Sequence, residues 1–233
     1  MKLTKLARNT AAALGTVAAL GMTATASAGM LVPTGYLYPP AEQFSLSTGQ
    51  TLGAGAFTGT YDEDLLDGLL GEPVVFFCVE LGQNFSFGNS YEYTETQPDN
   101  ETFTLLGRLF TSAFGLINSP QSSAAFQLAV WEIVTDTDLD LTDTAGFHVT
   151  NSHGHAATVA MAQGWLDNLA NSPDNYNVFL LGNPRHQDFV HGTPVPRRDP
   201  PPELPEPASL GLIAAGLLAM AAAFRRRVAR RRH

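Results

Sequence analysis

Short segments in which apolar and polar residues alternate lie on either side of a stretch with a longer period. Alternation places successive side chains on opposite faces of an extended backbone and predicts strands. Glycine or proline bounds several of these segments, as expected for turns between antiparallel strands. The predicted strands lie in EQFSLSTG (42–49), GAFTGTY (55–61), PVVFFCVEL (73–81), SYEYTET (90–96), NVFLLG (177–182) and QDFV (187–190).

The stretch between them has apolar residues at a period of three to four and predicts three helices. These are ETFTLLGRLFTSAF (101–114), SSAAFQLAVWEIVTD (122–136) and HAATVAMAQGWLDNLA (155–170). Ser122 or Ser123 is the predicted N-cap of the second helix. This order favours one α+β domain, in which antiparallel strands pack against about three helices.

The first 28 residues have the three parts of a secretory signal peptide. Lys2, Lys5 and Arg8 form a basic start, AAALGTVAALGM is a short apolar run, and ATASA ends in an A-x-A cleavage site. The predicted cut follows Ala28. An ordinary N-terminal helix is the other interpretation, and the small residues at the cleavage site argue against it.

The other end of the chain, at 205–233, contains an uncharged run at 208–224 and then six arginines. These 17 uncharged residues would make a helix of about 25 Å, just long enough to cross a membrane. The arginine-rich tail, 225–233, is expected to stay in the cytoplasm while the rest of the chain lies outside. The segment is also compatible with a plain membrane anchor.

The order of features in this segment is more specific than an anchor requires. Pro205, Glu206 and Pro207 directly precede the apolar run, and the arginines come last. The arrangement resembles the PEP-CTERM sorting signal of Gram-negative bacteria. The resemblance implies that an exosortase recognises the segment and removes or replaces it, as happens with other processed tail signals. It also implies a final place at the cell surface or in the extracellular matrix, where such proteins often accompany exopolysaccharide production.

Between the two signals lies one acidic domain. We predict an ectodomain at 29–191 and a proline-rich stalk at 192–204. Four arginines stand against 21 carboxylates in this region, a net charge of −17 with neutral histidines. That charge argues against nucleic acid as a partner. Both lysines of the chain are in the signal peptide, so the mature domain has no side-chain amine.

Two sequence patterns are typical of metal ligands, but neither contains all the ligands that a metal site requires. DTDLDLTD (136–143) begins like a calcium loop, yet it lacks glycine at the sixth position and glutamate at the twelfth. A polar loop is the simpler interpretation, and weak calcium binding stays open. His153 and His155 alternate as ligands do, but without a third ligand, loop and cap roles are favoured. The sequence assigns no metal and no cofactor.

Cys78 is the only cysteine of an exported chain, and it lies within an apolar strand. Alternation puts Glu80 on the same face, and nothing basic is nearby to activate a thiolate, so a cysteine protease is disfavoured. Gln127 and Trp131 share one face of the second helix. A buried glutamine without hydrogen bonds costs roughly 1–3 kcal/mol, so Gln127 also needs an explanation.

One explanation is covalent. FCVEL (77–81) and FQLAVW (126–131) resemble the Cys–Gln thioester domains of bacterial surface adhesins, in which a strand cysteine bonds to a glutamine of a Q-x-A-hydrophobic-W helix. The resemblance implies a thioester between Cys78 and Gln127, shielded by Trp131, with Glu80 where an aspartate often stands. Such an acyl group reacts with an amine or a hydroxyl, and a domain without lysine has no amine side chain that would compete.

The sequence therefore predicts an exported surface or matrix protein that is sorted by an exosortase and attaches covalently to an amine- or hydroxyl-bearing partner. The alternative is a passive structural or binding module of the exopolysaccharide matrix. In that case Cys78 is a small buried hydrophobe and Gln127 bonds to nearby backbone. Enzymatic turnover is not predicted.

Overall fold

The computed structural model describes residues 27–63, 71–136, 138–151, 154–196 and 216–221. Eight strands lie within these ranges: β1 (Ser27–Tyr36), β2 (Glu42–Ser45), β3 (Thr51–Ala54), β4 (Phe57–Asp62), β5 (Glu72–Cys78), β6 (Tyr91–Thr96), β7 (Tyr176–Gly182) and β8 (Phe189–Pro194). Six of them close into an antiparallel barrel in the order β1-β4-β5-β8-β7-β6, and β2 and β3 form a separate hairpin.

Three helices follow β6 along the chain: α1 (Glu101–Ala113), α2 (Pro120–Thr135) and α3 (Ala156–Asp167). The prediction of a mixed α+β fold with antiparallel strands and about three helices is confirmed for the described ectodomain. The closure of the sheet into a barrel was not predicted. The closure depends on β1, which pairs with β4 on one side and with β6 on the other. Without β1, the strands β4 and β6 would be the two edges of an open sheet.

The C-terminal part of β5, from Phe76 to Cys78, is buried on both of its faces. Phe76 packs against Phe189 of the neighbouring strand, with ring centroids 4.8 Å apart. Phe77 points to the opposite face and packs against Phe126 of α2 at 4.4 Å and Phe110 of α1 at 5.8 Å. Burial on both sides explains why this strand is a nearly continuous apolar run, and it brings α2 directly onto β5.

The helix α2 begins at Pro120, two residues before the start of the predicted helix at 122. Ser119 is its N-cap and accepts a hydrogen bond from the backbone N–H of Ser122, while Pro120 occupies the first turn. The predicted caps, Ser122 and Ser123, are therefore wrong, because proline at the first helical position marks the start. Ser123 instead accepts a hydrogen bond from the backbone N–H of Ala56, at 2.7 Å, and fixes the helix against the chain before β4.

The described part of the compact unit runs from Ser27, where β1 starts, to Pro194, where β8 ends. β1 starts at Ser27, so cleavage after Ala28 removes two pairs with β6 and leaves those from Gly29 onward. The unit ends at Pro194, three residues beyond the predicted end of the ectodomain at 191. The predicted signal peptide before Ser27 and most of the predicted stalk lie outside the described residues.

Of the predicted sorting signal, the structure describes only 216–221, which are helical and exposed. The rest of the predicted transmembrane segment at 208–224 lies outside the described residues, as do Pro205, Glu206, Pro207 and the arginine-rich tail. Within the described ranges, none of the helices combines the length and the apolar character that a membrane crossing requires.

Candidate functional site

The side-chain amide of Gln127 meets the backbone of Cys78 in the core of the domain. Gln127 Nε2 donates to the carbonyl oxygen of Cys78 at 2.7 Å, and the backbone N–H of Cys78 donates to Gln127 Oε1 at 3.0 Å. Gln127 is fully buried and Cys78 is 6% exposed. The structure thus brings together the two residues that the sequence singles out, one from β5 and one from α2.

These two hydrogen bonds replace those that a neighbouring strand would make with Cys78. β4 begins at Phe57, which lies opposite Phe76 of β5, so no residue of β4 lies opposite Cys78. Alternate residues of a strand direct N–H and C=O to the same side, which leaves Cys78 with a donor and an acceptor facing the missing strand. The Gln127 amide supplies one acceptor and one donor, so both buried groups are paired.

The thiol of Cys78 is protonated in this setting. Its Sγ donates to the main-chain carbonyl of Glu80 at 3.1 Å. Burial raises the pKa of the Cys78 thiol to about 12. The indole N–H of Trp131 lowers this pKa, whereas the negative charges of Glu80 and Asp188 raise it further. A thiol of this kind has none of the features of a protease nucleophile.

Trp131 lies beside this thiol, and its indole N–H interacts with the sulfur. The side chain is 1% exposed, and its indole nitrogen makes no hydrogen bond of normal geometry among the described residues, but its interaction with Sγ lowers the pKa of Cys78. Sulfur is a weak acceptor. The site therefore contains an N–H that is available to an acceptor formed at Cys78.

Glu80 contacts the Cys78 thiol through its main-chain carbonyl, whereas strand alternation predicted its side chain on the same face as the thiol. β5 ends at Cys78, so strand alternation does not continue to Glu80 and does not decide where its side chain points. The main-chain carbonyl of Glu80 accepts from Cys78 Sγ, and also from Gln187 Nε2. Its carboxylate accepts from Gln83 Nε2 at 3.2 Å through Oε1, while Oε2 is buried without a hydrogen bond in the described part of the chain.

The histidine pattern does not assemble into a metal site within the described residues. His155 stands at the start of α3 and its Nδ1 lies 3.1 Å from Glu42 Oε2, which also accepts from Thr158 Oγ1 at 2.9 Å. His155 therefore ties α3 to β2. His153 lies outside the described residues.

A group of acidic side chains that could hold a metal ion was not assigned from the sequence. Glu132, Asp136 and Asp138 bring one carboxylate oxygen each to within 4.8 Å of one another. Burial, followed by the charges of Asp136 and Asp138, raises the pKa of Glu132 to about 8. The signal in the sequence was a glutamate inside the apolar run AVWEIV, four residues before the first aspartate of the suspected calcium loop.

Comparison with known proteins gives one match, and it falls on the C-terminal segment. Residues 203–227 match the PEP-CTERM protein-sorting motif. No curated protein and no solved structure matches the chain. The match includes Pro205, Glu206, Pro207, the apolar run and the first three arginines. An exosortase is therefore its processing partner, and the chain is exported and passes through the membrane on its way to the cell envelope. The chain therefore carries a PEP-CTERM protein-sorting signal at residues 203–227.

Proposed function

We propose that this protein attaches covalently to a partner at the cell surface or in the extracellular matrix through an internal thioester between Cys78 and Gln127. One observation carries the proposal: two hydrogen bonds hold the Gln127 amide against the residue whose thiol would attack it. Attack of Sγ on Cδ forms the C–S bond and breaks the C–N bond. The amide nitrogen leaves as ammonia and takes the thiol proton.

The two hydrogen bonds between Gln127 and Cys78 also favour the attack of the thiol on the amide. When Sγ adds to Cδ, negative charge develops on Oε1, and the backbone N–H of Cys78 already donates to that oxygen at 3.0 Å. A preorganised donor at the oxygen that becomes charged is the main feature of an oxyanion hole. The carbonyl of Cys78 holds Nε2, the atom that leaves, at 2.7 Å.

The residues around Cys78 and Gln127 would protect a thioester from hydrolysis before it reacts with a partner. Phe76 and Trp131 are fully or almost fully buried, and they limit the access of water to this part of the core. The indole N–H of Trp131, which already interacts with the Cys78 sulfur, offers a hydrogen bond to a thioester at that position. The mature domain has no lysine, so the partner and not the domain itself supplies the amine or hydroxyl. Each molecule reacts once, which makes the protein an adhesive component and not an enzyme.

The test is the intact mass of mature protein purified from the native host. We expect the ectodomain to weigh one ammonia less than its sequence, and Cys78 to resist alkylation after unfolding in acid. The Cys78→Ala variant serves as the control and should have its full mass. A full mass with a thiol that titrates in fresh protein would contradict the proposal.

A passive module of the envelope or the matrix is the second candidate. The observation that favours it is that Gln127 already has a structural role, because it pairs two buried backbone groups of Cys78. In this case Cys78 is a small apolar side chain and the sorting signal alone determines where the protein resides. Full mass in the experiment above selects this candidate.

A further inference from the structure

Three carboxylates converge where α2 ends. Glu132 is in the last turn of α2, Asp136 is the C-cap of that helix, and Asp138 follows in the next loop. Positions four apart at a helix end lie on the same side, which brings Glu132 and Asp136 together. One oxygen from each of the three lies within 4.8 Å of the other two.

Glu132 is the unusual member of this cluster because it is fully buried. Its exposed fraction is 0%, and neither carboxylate oxygen makes a hydrogen bond of normal geometry with the described residues, although the Asp138 side chain and the Asp140 backbone lie near enough to interact with it. The nearby backbone N–H of Asp140 donates to Asp138 Oδ1 at 3.0 Å. A buried carboxylate without a partner is strongly unfavourable, and two further carboxylates beside it add repulsion. The cluster therefore calls for a positive charge.

The salt bridges recorded for the described residues join His155 to Glu42 and His191 to Glu95, and neither involves Glu132. The mature domain contains no lysine at all. A cation from solution would supply a counter-charge for Glu132.

The loop after the cluster is built to lie close to it. The backbone N–H of Phe147 donates to Asp136 Oδ2 at 2.8 Å. A Cβ at Gly146 would collide with the Asp136 carboxylate, which would have to shift to make room for a larger residue. Asp138 is exposed, which leaves the opposite side of the cluster open to solvent and to water ligands.

We propose that Glu132, Asp136 and Asp138 bind a divalent cation, with calcium as the ion that fits best. Carboxylate oxygens are hard ligands, and Ca²⁺ accepts about six to eight oxygens in flexible geometry, so waters on the exposed side complete the shell. Mg²⁺ requires a near-ideal octahedron, which an irregular loop of this kind does not offer. The bound ion links the end of α2, the helix that carries Gln127 and Trp131, to the loop at 138–147. This proposal is independent of the thioester.

Calcium titration of the chelator-treated full chain tests the proposal. We expect one bound ion per chain by isothermal titration calorimetry and a rise in Tm of roughly 5 °C at about a hundredfold excess over the dissociation constant. Magnesium at the same concentration should give a smaller rise. Absence of both binding heat and a Tm shift at millimolar calcium overturns the proposal.

Variants assign the effect to the cluster. Glu132→Gln keeps the size of the side chain and removes its charge, so calcium should no longer raise Tm. Asp138→Asn, at an exposed position that tolerates substitution, should weaken binding at least tenfold and provides the test if Glu132→Gln does not fold. Asp143→Asn is the matched control, because it removes one charge from the same loop outside the cluster and should leave binding unchanged. If calcium binding and the rise in Tm are the same in all three variants, the ion does not bind at this cluster.

Discussion

Gln127 bonds to Cys78 as a neighbouring strand would, through one donor and one acceptor on each residue. Both groups of Cys78 belong to its backbone, so these hydrogen bonds do not depend on the thiol. The two residues of the proposed thioester therefore differ in their importance for folding. Replacement of the cysteine side chain leaves the hydrogen bonds in place, whereas replacement of the glutamine removes both.

We predict a large difference between the two single substitutions. Gln127→Leu leaves a buried N–H and a buried C=O of Cys78 unpaired and should lower the free energy of unfolding by roughly 2–5 kcal/mol. Cys78→Ala keeps both hydrogen bonds, and its loss comes from a small cavity, about 1–2 kcal/mol. Urea unfolding followed by tryptophan fluorescence measures both values.

Gln97→Leu is the matched control for this comparison. Gln97 is an exposed glutamine whose amide bonds only to the side chain of Asn177 in the described structure, at 3.2 Å. The change should stay within about 0.5 kcal/mol of the wild type. If Gln127→Leu is as stable as Gln97→Leu, the role of Gln127 as a substitute strand partner is wrong.

Six of the eight strands and the three helices were predictable because their periods are local properties of the sequence, whereas β1 and β3 were not predicted. The barrel was not, because β1 closes it by pairing with β4 and β6, and its first residues overlap the predicted signal-peptide cleavage site. The pairing of Cys78 with Gln127 was expected from a motif, but its hydrogen bonds depend on where β4 begins, which no local pattern fixes. Glu132 was missed because glutamate is usually exposed, and only the packing of α2 shows that this one is buried.

Alkaline pH should destabilise the protein specifically when the thiol is free. Folding raises the pKa of Cys78 from 9.0 to about 12, so its contribution to stability is complete below pH 9 and is lost as pH rises toward 12. The loss amounts to about 1.4 kcal/mol for each pH unit in that window. Tyr61 and Tyr93 also have raised pKa values and act in the same direction. The difference from Cys78→Ala, measured by urea unfolding at each pH, isolates the thiol.

This pH profile also distinguishes the two functional candidates. Protein that contains the thioester has no thiol to titrate, so its stability should follow that of Cys78→Ala between pH 9 and pH 11, measured before alkaline hydrolysis proceeds. Protein with a free thiol should lose stability faster than the variant. A faster loss in freshly purified native protein speaks against the bond.

Processing at the C-terminus should remove the arginine-rich tail. The motif at 203–227 implies recognition by an exosortase, so protein from the native host should lack the arginines at 225–232. C-terminal peptide mass spectrometry detects the new end. Replacement of Pro205, Glu206 and Pro207 by alanine is the control and should leave the tail in place. An intact tail on the mature surface form of the wild-type protein would indicate a plain membrane anchor.

Methylamine should open the proposed bond and leave a mark on both residues. The amine attacks the acyl carbon of Gln127 and releases the Cys78 thiol, so the glutamine becomes an N-methyl amide and the cysteine becomes reactive toward alkylating reagents after unfolding. Peptide mass spectrometry locates the methyl group, and alkylation counts the thiol. Cys78→Ala should show neither change at the same amine concentration.

The rate of opening should depend on Trp131. Its indole covers the Cys78 region, and its N–H interacts with the Cys78 sulfur. Trp131→Phe keeps much of the apolar cover and removes that donor, so methylamine and water should open the bond several-fold faster. Trp165→Phe is the matched control, since the ring of Trp165 packs against Phe126, with centroids 6.2 Å apart, and Trp131 is the tryptophan that acts on the Cys78 thiol. Equal opening rates in both variants would show that Trp131 does not protect the bond.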